Sequence, residues 1–175
     1  MIFLFAGHSL SDGGATGVNG RKEADETRKL RDLIKSYIPT KIVVDDDRDN
    51  LSSVLTKAHT GSGSVVLDIH FNAVLNAQAN GMEVIISDTA TKNSRDFASE
   101  LLAAGVSTTG IKSRRVKTEK ESARGRLGVM REAGQVALIE VGFISNKSDM
   151  AKYDANVNKL AQAIAGILIK RDALL

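Results

Sequence analysis

The chain has 175 residues, of which 42% are hydrophobic and 26% are charged, and its formal net charge is +3. This composition excludes an intrinsically disordered chain, and the length suits one domain with a sizeable core. The lack of cysteine excludes disulfides and thiolate chemistry, so any metal must be held by nitrogen and oxygen ligands. No apolar run approaches the length of a membrane span.

Hydrophobic periodicity predicts strands and helices that alternate along the chain. The predicted strands are Ile2–Ala6, Lys41–Val44, the run that begins at Val65, Met82–Ile86, Leu127–Met130 and Gln135–Val141. The predicted helices are Arg21–Tyr37, Leu51–His59, Thr91–Gly105 and Val157–Ile169. This order favours an α/β fold: a single domain, residues 1–175, with a central twisted, mostly parallel sheet of about six strands and helices on both faces.

The polar segments between these elements carry weaker signals. The acidic turn Asp45–Asp47 lacks the spacing of an EF-hand loop and is expected to be a solvated turn and N-cap. His59 has no partner at a recognisable spacing and is expected on the surface. Residues 112–126 hold seven basic side chains and little periodicity, which predicts a mobile surface loop with a short strand near Val116.

Three predicted strands end in chemically useful side chains. His8 directly follows the first strand, His70 ends the third, and Glu140 ends the last. Because the carboxyl ends of parallel strands lie along one edge of a sheet, these side chains are expected to converge. Glu23 lies just beyond the glycine-containing loop after His8, within reach of the same edge. Two imidazoles and one carboxylate form the ligand set of a catalytic zinc, so His8, Glu23 and His70 are candidate metal ligands.

Glu140 is the candidate catalytic residue, because a carboxylate at the end of an apolar strand is costly to bury without a partner. A general base beside a zinc site would accept a proton from water whose acidity the metal increases. The alternative is structural: Glu140 caps a neighbouring helix or pairs with a buried arginine such as Arg131. From spacing alone both interpretations stay open.

Purely structural interpretations also exist for the other candidates. His70 could be a satisfied core histidine, and Glu23 could simply favour the first turn of its helix through the helix dipole. Glu83 lies near the start of its strand, which is the wrong end for the site if that strand runs parallel to its neighbours.

Several segments resemble the zinc-dependent N-acetylmuramoyl-L-alanine amidases of the Amidase_3 type, in order along nearly the whole chain. They are Gly7-His8, Asp12-Gly13-Gly14-Ala15, Glu23, His70-Phe71-Asn72-Ala73, Gly81-Met82-Glu83-Val84 and Glu140-Val141-Gly142-Phe143-Ile144-Ser145-Asn146. The resemblance implies hydrolysis of the amide bond between N-acetylmuramic acid and L-alanine in peptidoglycan. It also implies one Zn²⁺ per chain on His8, Glu23 and His70, Glu140 as the catalytic glutamate, and the stem peptide and muramic acid as substrate groups.

The chain departs from the family pattern at Ser9-Leu10, where glycines are usual, and at Gly13, where a proline is usual. Both departures concern the shape of the loop. Glu26 competes with Glu23 as the ligand, and Glu23 is preferred because the family's glutamate opens the helix after a glycine-containing turn. Asn72 either contacts substrate or shapes its turn.

Other functions remain open beside the amidase. One alternative is a non-catalytic peptidoglycan-binding module with the same fold, although all four site residues are present. A nucleic-acid role for residues 112–126 lacks interleaved aromatic residues and a known motif. The expected partner is therefore peptidoglycan, without nucleic acid or a membrane span, and the expected state is a monomer.

The N-terminus bears on where the protein acts. A secretory signal needs a positive flank and a longer apolar core than Ile2–Ala6 provides. An endolysin-like protein, synthesised in the cytoplasm without a signal peptide and acting on the cell wall, is therefore expected. The alternative is a domain excised from a secreted autolysin.

Overall fold

The computed structural model describes residues 1–175 and contains one six-stranded sheet and four α-helices. The strands are Ile2–Ala6 (β1), Val43–Val44 (β2), Val65–Asn72 (β3), Met82–Ile86 (β4), Ser113–Thr118 (β5) and Gln135–Phe143 (β6). The helices are Glu23–Ser36 (α1), Leu51–Ala58 (α2), Lys92–Thr109 (α3) and Lys147–Asp172 (α4). None of the helices has the length and apolar character needed to cross a bilayer.

The sheet order is β2-β1-β3-β6-β4-β5, and one junction in it is antiparallel. Strands β2, β1, β3 and β6 run parallel to one another, β4 runs antiparallel to β6, and β5 is parallel to β4. The predicted α/β class with a mostly parallel sheet is confirmed. The reversal brings the start of β4 to the edge where β1, β3 and β6 end.

Alternating side chains divide the core between the two faces of the sheet. One face packs against α1, α3 and α4 in a cluster of 29 buried residues. The other face is covered by α2 and by the turn Gly128–Arg131, and its cluster contains only nine buried residues. Helices therefore lie on both faces, as predicted, but the second face is thinly covered. That leaves room for a cleft on this face.

Two of the predicted elements differ in the structure. The predicted strand Leu127–Met130 is wrong, because Gly128–Arg131 forms a 3₁₀ turn that buries Val129 and Met130 in the smaller cluster. Strand β6 already has β3 and β4 as neighbours, which leaves no adjacent place for another strand. Helix α4 begins ten residues before its predicted start, because the Asn146 side chain accepts a hydrogen bond from the Asp149 N–H at 3.0 Å.

The acidic turn and the basic segment are more ordered than expected. The side chain of Asp45 is buried: its carboxylate accepts a hydrogen bond from the Ala6 N–H at 3.0 Å and pairs with Arg31 at 3.1 Å. The N-cap of α2 is instead Asn50. Within residues 112–126 the strand near Val116 becomes the whole edge strand β5. His59 is exposed, as predicted.

Candidate metal centre

A row of polar side chains crosses three neighbouring strands on the thinly covered face. Asp68, His70 and Asn72 alternate along β3, so all three point to this face. In the strand register His70 is paired with Glu140 of β6, and Glu140 is paired with Glu83 of the antiparallel strand β4. The row lines a cleft of about 520 Å³ at the carboxyl ends of the parallel strands.

The loop after β1 brings His8 to the same cleft. His8 has a φ of 72°, a left-handed conformation that is unfavourable for a residue with a side chain and that recurs at functional sites. Two glycines make room for the imidazole rings. A Cβ on Gly7 would lie 2.4 Å from Cε1 of His70, and a Cβ on Gly14 would lie 2.5 Å from Cδ2 of His8.

Glu23, the first residue of α1, lies between the two histidines and is almost fully buried. Its Oε1 is 3.0 Å from Nδ1 of His70 and accepts a hydrogen bond from the Phe71 N–H. Its Oε2 is 3.0 Å from Nε2 of His8 and accepts a hydrogen bond from the Ala15 N–H. The competing glutamate, Glu26, instead pairs with Arg21.

These three residues fit a metal ion. One candidate ligand atom from each of His8, Glu23 and His70 lies within 4.8 Å of the others. Nε2 of His8 is buried without a hydrogen-bond partner, since its 3.0 Å approach to Glu23 lacks hydrogen-bond geometry. Two imidazole nitrogens and one carboxylate are a donor set that Zn²⁺ accepts in catalytic sites. The cluster could therefore hold a metal ion.

The charges in the cluster reinforce one another. Burial alone would oppose ionisation of Glu23, but the close approach of the His70 and His8 rings holds its pKa well below the ordinary value. Glu23 in turn raises the pKa of His8. Burial also disfavours a charged His70, yet Asp68 and Glu23 together raise its pKa well above normal. The carboxylates around both rings therefore favour positive charge in the cluster.

Glu140 lines the cleft beside His70 and lacks a polar partner. Its Oε2 is buried without a hydrogen bond, and burial raises the pKa of its carboxyl to about 7. The alternative pairing with Arg131 is absent, because Arg131 pairs with Glu119. Glu140 caps no helix either, because each helix N-cap in the structure is another residue.

Glu83 also lines this cleft. Its place near the start of its strand would be the wrong end for the site only in a parallel strand, and β4 is antiparallel to β6. Oε2 of Glu83 accepts hydrogen bonds from Lys117 at 2.6 Å and Arg114 at 2.8 Å, and Oε1 accepts one from Asn72 at 3.2 Å. Burial opposes its ionisation, but these contacts lower its pKa below the ordinary value.

Three further carboxylates at the site had no role in the sequence-based prediction: Asp12, Asp68 and Glu83. Asp12 lies 3.0 Å from Nδ1 of His8, and Asp68 lies 3.4 Å from Nε2 of His70. A signal for Asp68 exists in the sequence, because it is a charged residue inside an apolar strand, two positions before His70. Glu83 is likewise a charged residue inside an apolar strand and part of a family segment, but neither signal gives the direction of that strand.

Comparison with known proteins identifies relatives of the chain. A family model described as N-acetylmuramoyl-L-alanine amidase matches residues 2–170. The uncharacterized protein YqiI of Bacillus subtilis (strain 168) is 28% identical over 158 residues, which cover 86% of this chain and 73% of YqiI.

Solved structures share the fold. The amidase AmiC2 of Nostoc punctiforme is 22% identical with a TM-score of 0.80, and an amidase of Clostridium difficile 630 is 23% identical with the same TM-score. Each match covers 97% of this chain and 94% of the solved chain. At these identities the structural likeness shows the fold.

Proposed function

Because this chain belongs to the N-acetylmuramoyl-L-alanine amidase family, we propose that it cleaves the amide bond between N-acetylmuramic acid and L-alanine in peptidoglycan with a zinc ion held by His8, Glu23 and His70. Enzymes of this family are hydrolases, and Glu140 is the proposed catalytic residue. Residues 1–175 are proposed to form one catalytic domain that acts on the cell wall as a monomer.

One observation carries this proposal. The candidate ligand atoms of His8, Glu23 and His70 lie within 4.8 Å of one another in the same cleft as Glu140, whose Oε2 has no hydrogen-bond partner. A ligand cluster for a cation and an unpartnered carboxylate beside it are the two parts that metal-assisted amide hydrolysis requires.

The reaction follows from the chemistry of these groups. Zinc, when bound, supplies Lewis-acid chemistry that polarises the scissile carbonyl and makes water more acidic. Oε2 of Glu140 accepts a proton from the attacking water, whose oxygen bonds to the lactyl carbonyl carbon. The same Oε2 then returns the proton to the nitrogen of L-alanine as the C–N bond breaks.

Asn72 is the proposed substrate contact, and Glu83 determines how its amide is oriented. An ionised carboxylate only accepts hydrogen bonds, so Asn72 directs its NH₂ group toward Oε1 of Glu83. The Oδ1 of Asn72 is then available in the cleft as an acceptor. The complementary group on the substrate is an amide N–H of the stem peptide.

The test is digestion of purified peptidoglycan followed by mass spectrometry of the products, with and without a chelator. Glu140→Gln removes the proton acceptor and keeps the shape, so the rate is expected to fall about 10²–10⁴-fold while zinc content stays that of the parent protein. The matched control is Glu121→Gln on the exposed loop after β5, which is expected to keep the parent rate.

Three outcomes would contradict the proposal. A Glu140→Gln variant that digests peptidoglycan at the parent rate would show that Glu140 is not the catalytic residue. Cleavage that the chelator does not affect would show that the reaction needs no metal ion. A chain that binds peptidoglycan but releases no L-alanine amine would be a binding module and not an amidase.

A further inference from the structure

We propose that Asp68 is a positioning residue that fixes the orientation and tautomer of His70, so that Nδ1 and not Nε2 of this ring faces the metal. The inference rests on the proposed zinc site. It assigns a role to a buried carboxylate that takes no part in the reaction described above.

The burial of Asp68 requires an explanation. Its side chain retains only 4% of its exposure, and it lies within β3 between the apolar residues Leu67 and Ile69. A buried carboxylate is costly unless it has a partner. The contacts of the structure give Asp68 one polar partner, Nε2 of His70 at 3.4 Å. The one polar side-chain contact of Asp68 in the structure is therefore with a ring nitrogen of a candidate metal ligand.

The alternation of β3 makes this contact a direct result of the sequence. Asp68 and His70 are two residues apart, so both side chains project from the same face of the strand. The two ring nitrogens of His70 then face different carboxylates. Nδ1 lies 3.0 Å from Oε1 of Glu23, which is another candidate ligand, and Nε2 lies toward Asp68.

Asp68 cannot be an additional ligand in this arrangement, because the imidazole ring lies between it and the other candidate ligands. Its carboxylate is also outside the group of ligand atoms that lie within 4.8 Å of one another. A metal that uses Nδ1 of His70 leaves the ring's remaining proton on Nε2, the nitrogen that faces the Asp68 carboxylate. Ligating histidines usually donate their second N–H to a carboxylate, a carbonyl oxygen or water in this way.

His8 shows the complementary arrangement. Its Nε2 faces Glu23, and its Nδ1 lies 3.0 Å from Asp12. Each histidine thus has one nitrogen toward Glu23 and the other toward an aspartate. The two aspartates differ in burial, since the Asp12 side chain is 70% exposed and water can replace it, whereas Asp68 is enclosed. Asp68 is therefore expected to matter more for the metal site.

The first test uses the parent protein loaded with zinc alone. Long-range ¹H–¹⁵N spectra of the histidine rings report which nitrogen carries the proton and which binds the metal. The expected result for His70 is a protonated Nε2 and a zinc-bound Nδ1. Zinc bound through Nε2 of His70 would overturn the inference.

The second test measures zinc affinity by competition with a chelating dye. Asp68→Ala is expected to weaken zinc binding about 10–100-fold, and Asp68→Asn less, because the carboxamide oxygen still accepts from the Nε2–H. The control is Asp96→Asn on the surface of α3, which is expected to keep the parent affinity. If Asp68→Ala does not fold, the isosteric Asp68→Asn variant and the spectra of the parent protein still test the role of Asp68.

The experiments distinguish a failure of this inference from a failure of the proposed function. A parent protein that binds zinc with an affinity that neither Asp68 variant changes would overturn the role of Asp68 and leave the proposed function intact. A parent protein that binds no zinc would overturn the proposed metal site, and this inference with it.

Discussion

Two glycines provide the space that the imidazole rings of His8 and His70 occupy. Gly7 lies against the ring of His70, and the open backbone there lets the ring lie next to the strand end. Gly14 does the same for His8, and its φ of 63° adds a second reason for glycine, because a side chain is disfavoured in this conformation. The ligand cluster therefore requires that Gly7 and Gly14 have no side chains, in addition to the ligand side chains themselves.

Gly7→Ala is expected to disable the metal site. The added methyl would lie 2.4 Å from Cε1 of His70, so the ring must move away from Glu23. Zinc affinity is expected to fall at least about tenfold, and peptidoglycan cleavage with it. The control is Gly61→Ala, where the added methyl meets no atom within 4 Å. Equal zinc affinity in the two variants would show that the contact with Gly7 does not hold the ring.

At the scale of elements, the direction of β4 decides the composition of the cleft. Since β4 runs antiparallel to β6, the start of β4 lies at the end of β6, and Glu83 faces Glu140. Two like charges side by side would repel, but Lys117 and Arg114 from β5 neutralise Glu83. Part of the basic segment is therefore structural, and it allows Glu83 to be a charged acceptor for Asn72.

Glu83→Gln is expected to destabilise the fold in a way that depends on pH. The pKa of Glu83 is below its ordinary value of 4.5, so the ionised group stabilises the folded state above that value. This contribution is lost as pH falls through the lowered pKa, because the folded state must then bind the proton. At neutral pH the variant is expected to lose about 1–3 kcal/mol in free energy of unfolding, with a difference from the parent that shrinks toward acid pH.

Urea unfolding of both proteins from about pH 7 to about pH 3 measures this difference. Asp25→Asn is the matched control, because it breaks an exposed pair with Arg28 and such pairs contribute little. A difference between parent and Glu83→Gln that does not change with pH would contradict the role assigned to the Glu83 charge.

At the scale of the whole molecule, the candidate ligands join segments that are distant in the chain. His8 follows β1, Glu23 opens α1, and His70 lies in β3, so one ion would connect two strands of the sheet and one helix. An ion that binds only the folded chain stabilises it by mass action. The metal is therefore expected to influence global stability as well as activity.

Zinc at a concentration of about 100 times its Kd is expected to stabilise the protein by about 2.7 kcal/mol, which for a chain of this size raises Tm by about 5–10 °C. Calorimetry of the metal-free and zinc-loaded protein measures this shift. His70→Ala is expected to abolish it, and His59→Ala, which removes an exposed histidine, is expected to retain it. A shift that survives His70→Ala would place the stabilising ion elsewhere.

The sequence by itself determined the fold class and the residues that meet at the cleft. Apolar runs identify the strands, and a polar residue at the end of a parallel strand lies at the ligand-binding edge wherever that strand sits in the sheet. His8, His70 and Glu140 could be selected on this ground, and Glu23 because it lies just beyond the loop after His8. The family resemblance then implied the same four residues. These features are local, because they depend on periodicity and on the distance from a strand end.

Only the tertiary structure decided the direction of β4, the 3₁₀ turn at Gly128–Arg131 and the partners of the two histidines. Strand direction depends on how the connecting segments cross and pack, and no short stretch of sequence encodes it. The sequence therefore did not decide whether Glu83 lies at the site, and it left Asp68 without a role. The structure places Asp68 beside Nε2 of His70, a contact that depends on where Glu23 holds the other side of the ring.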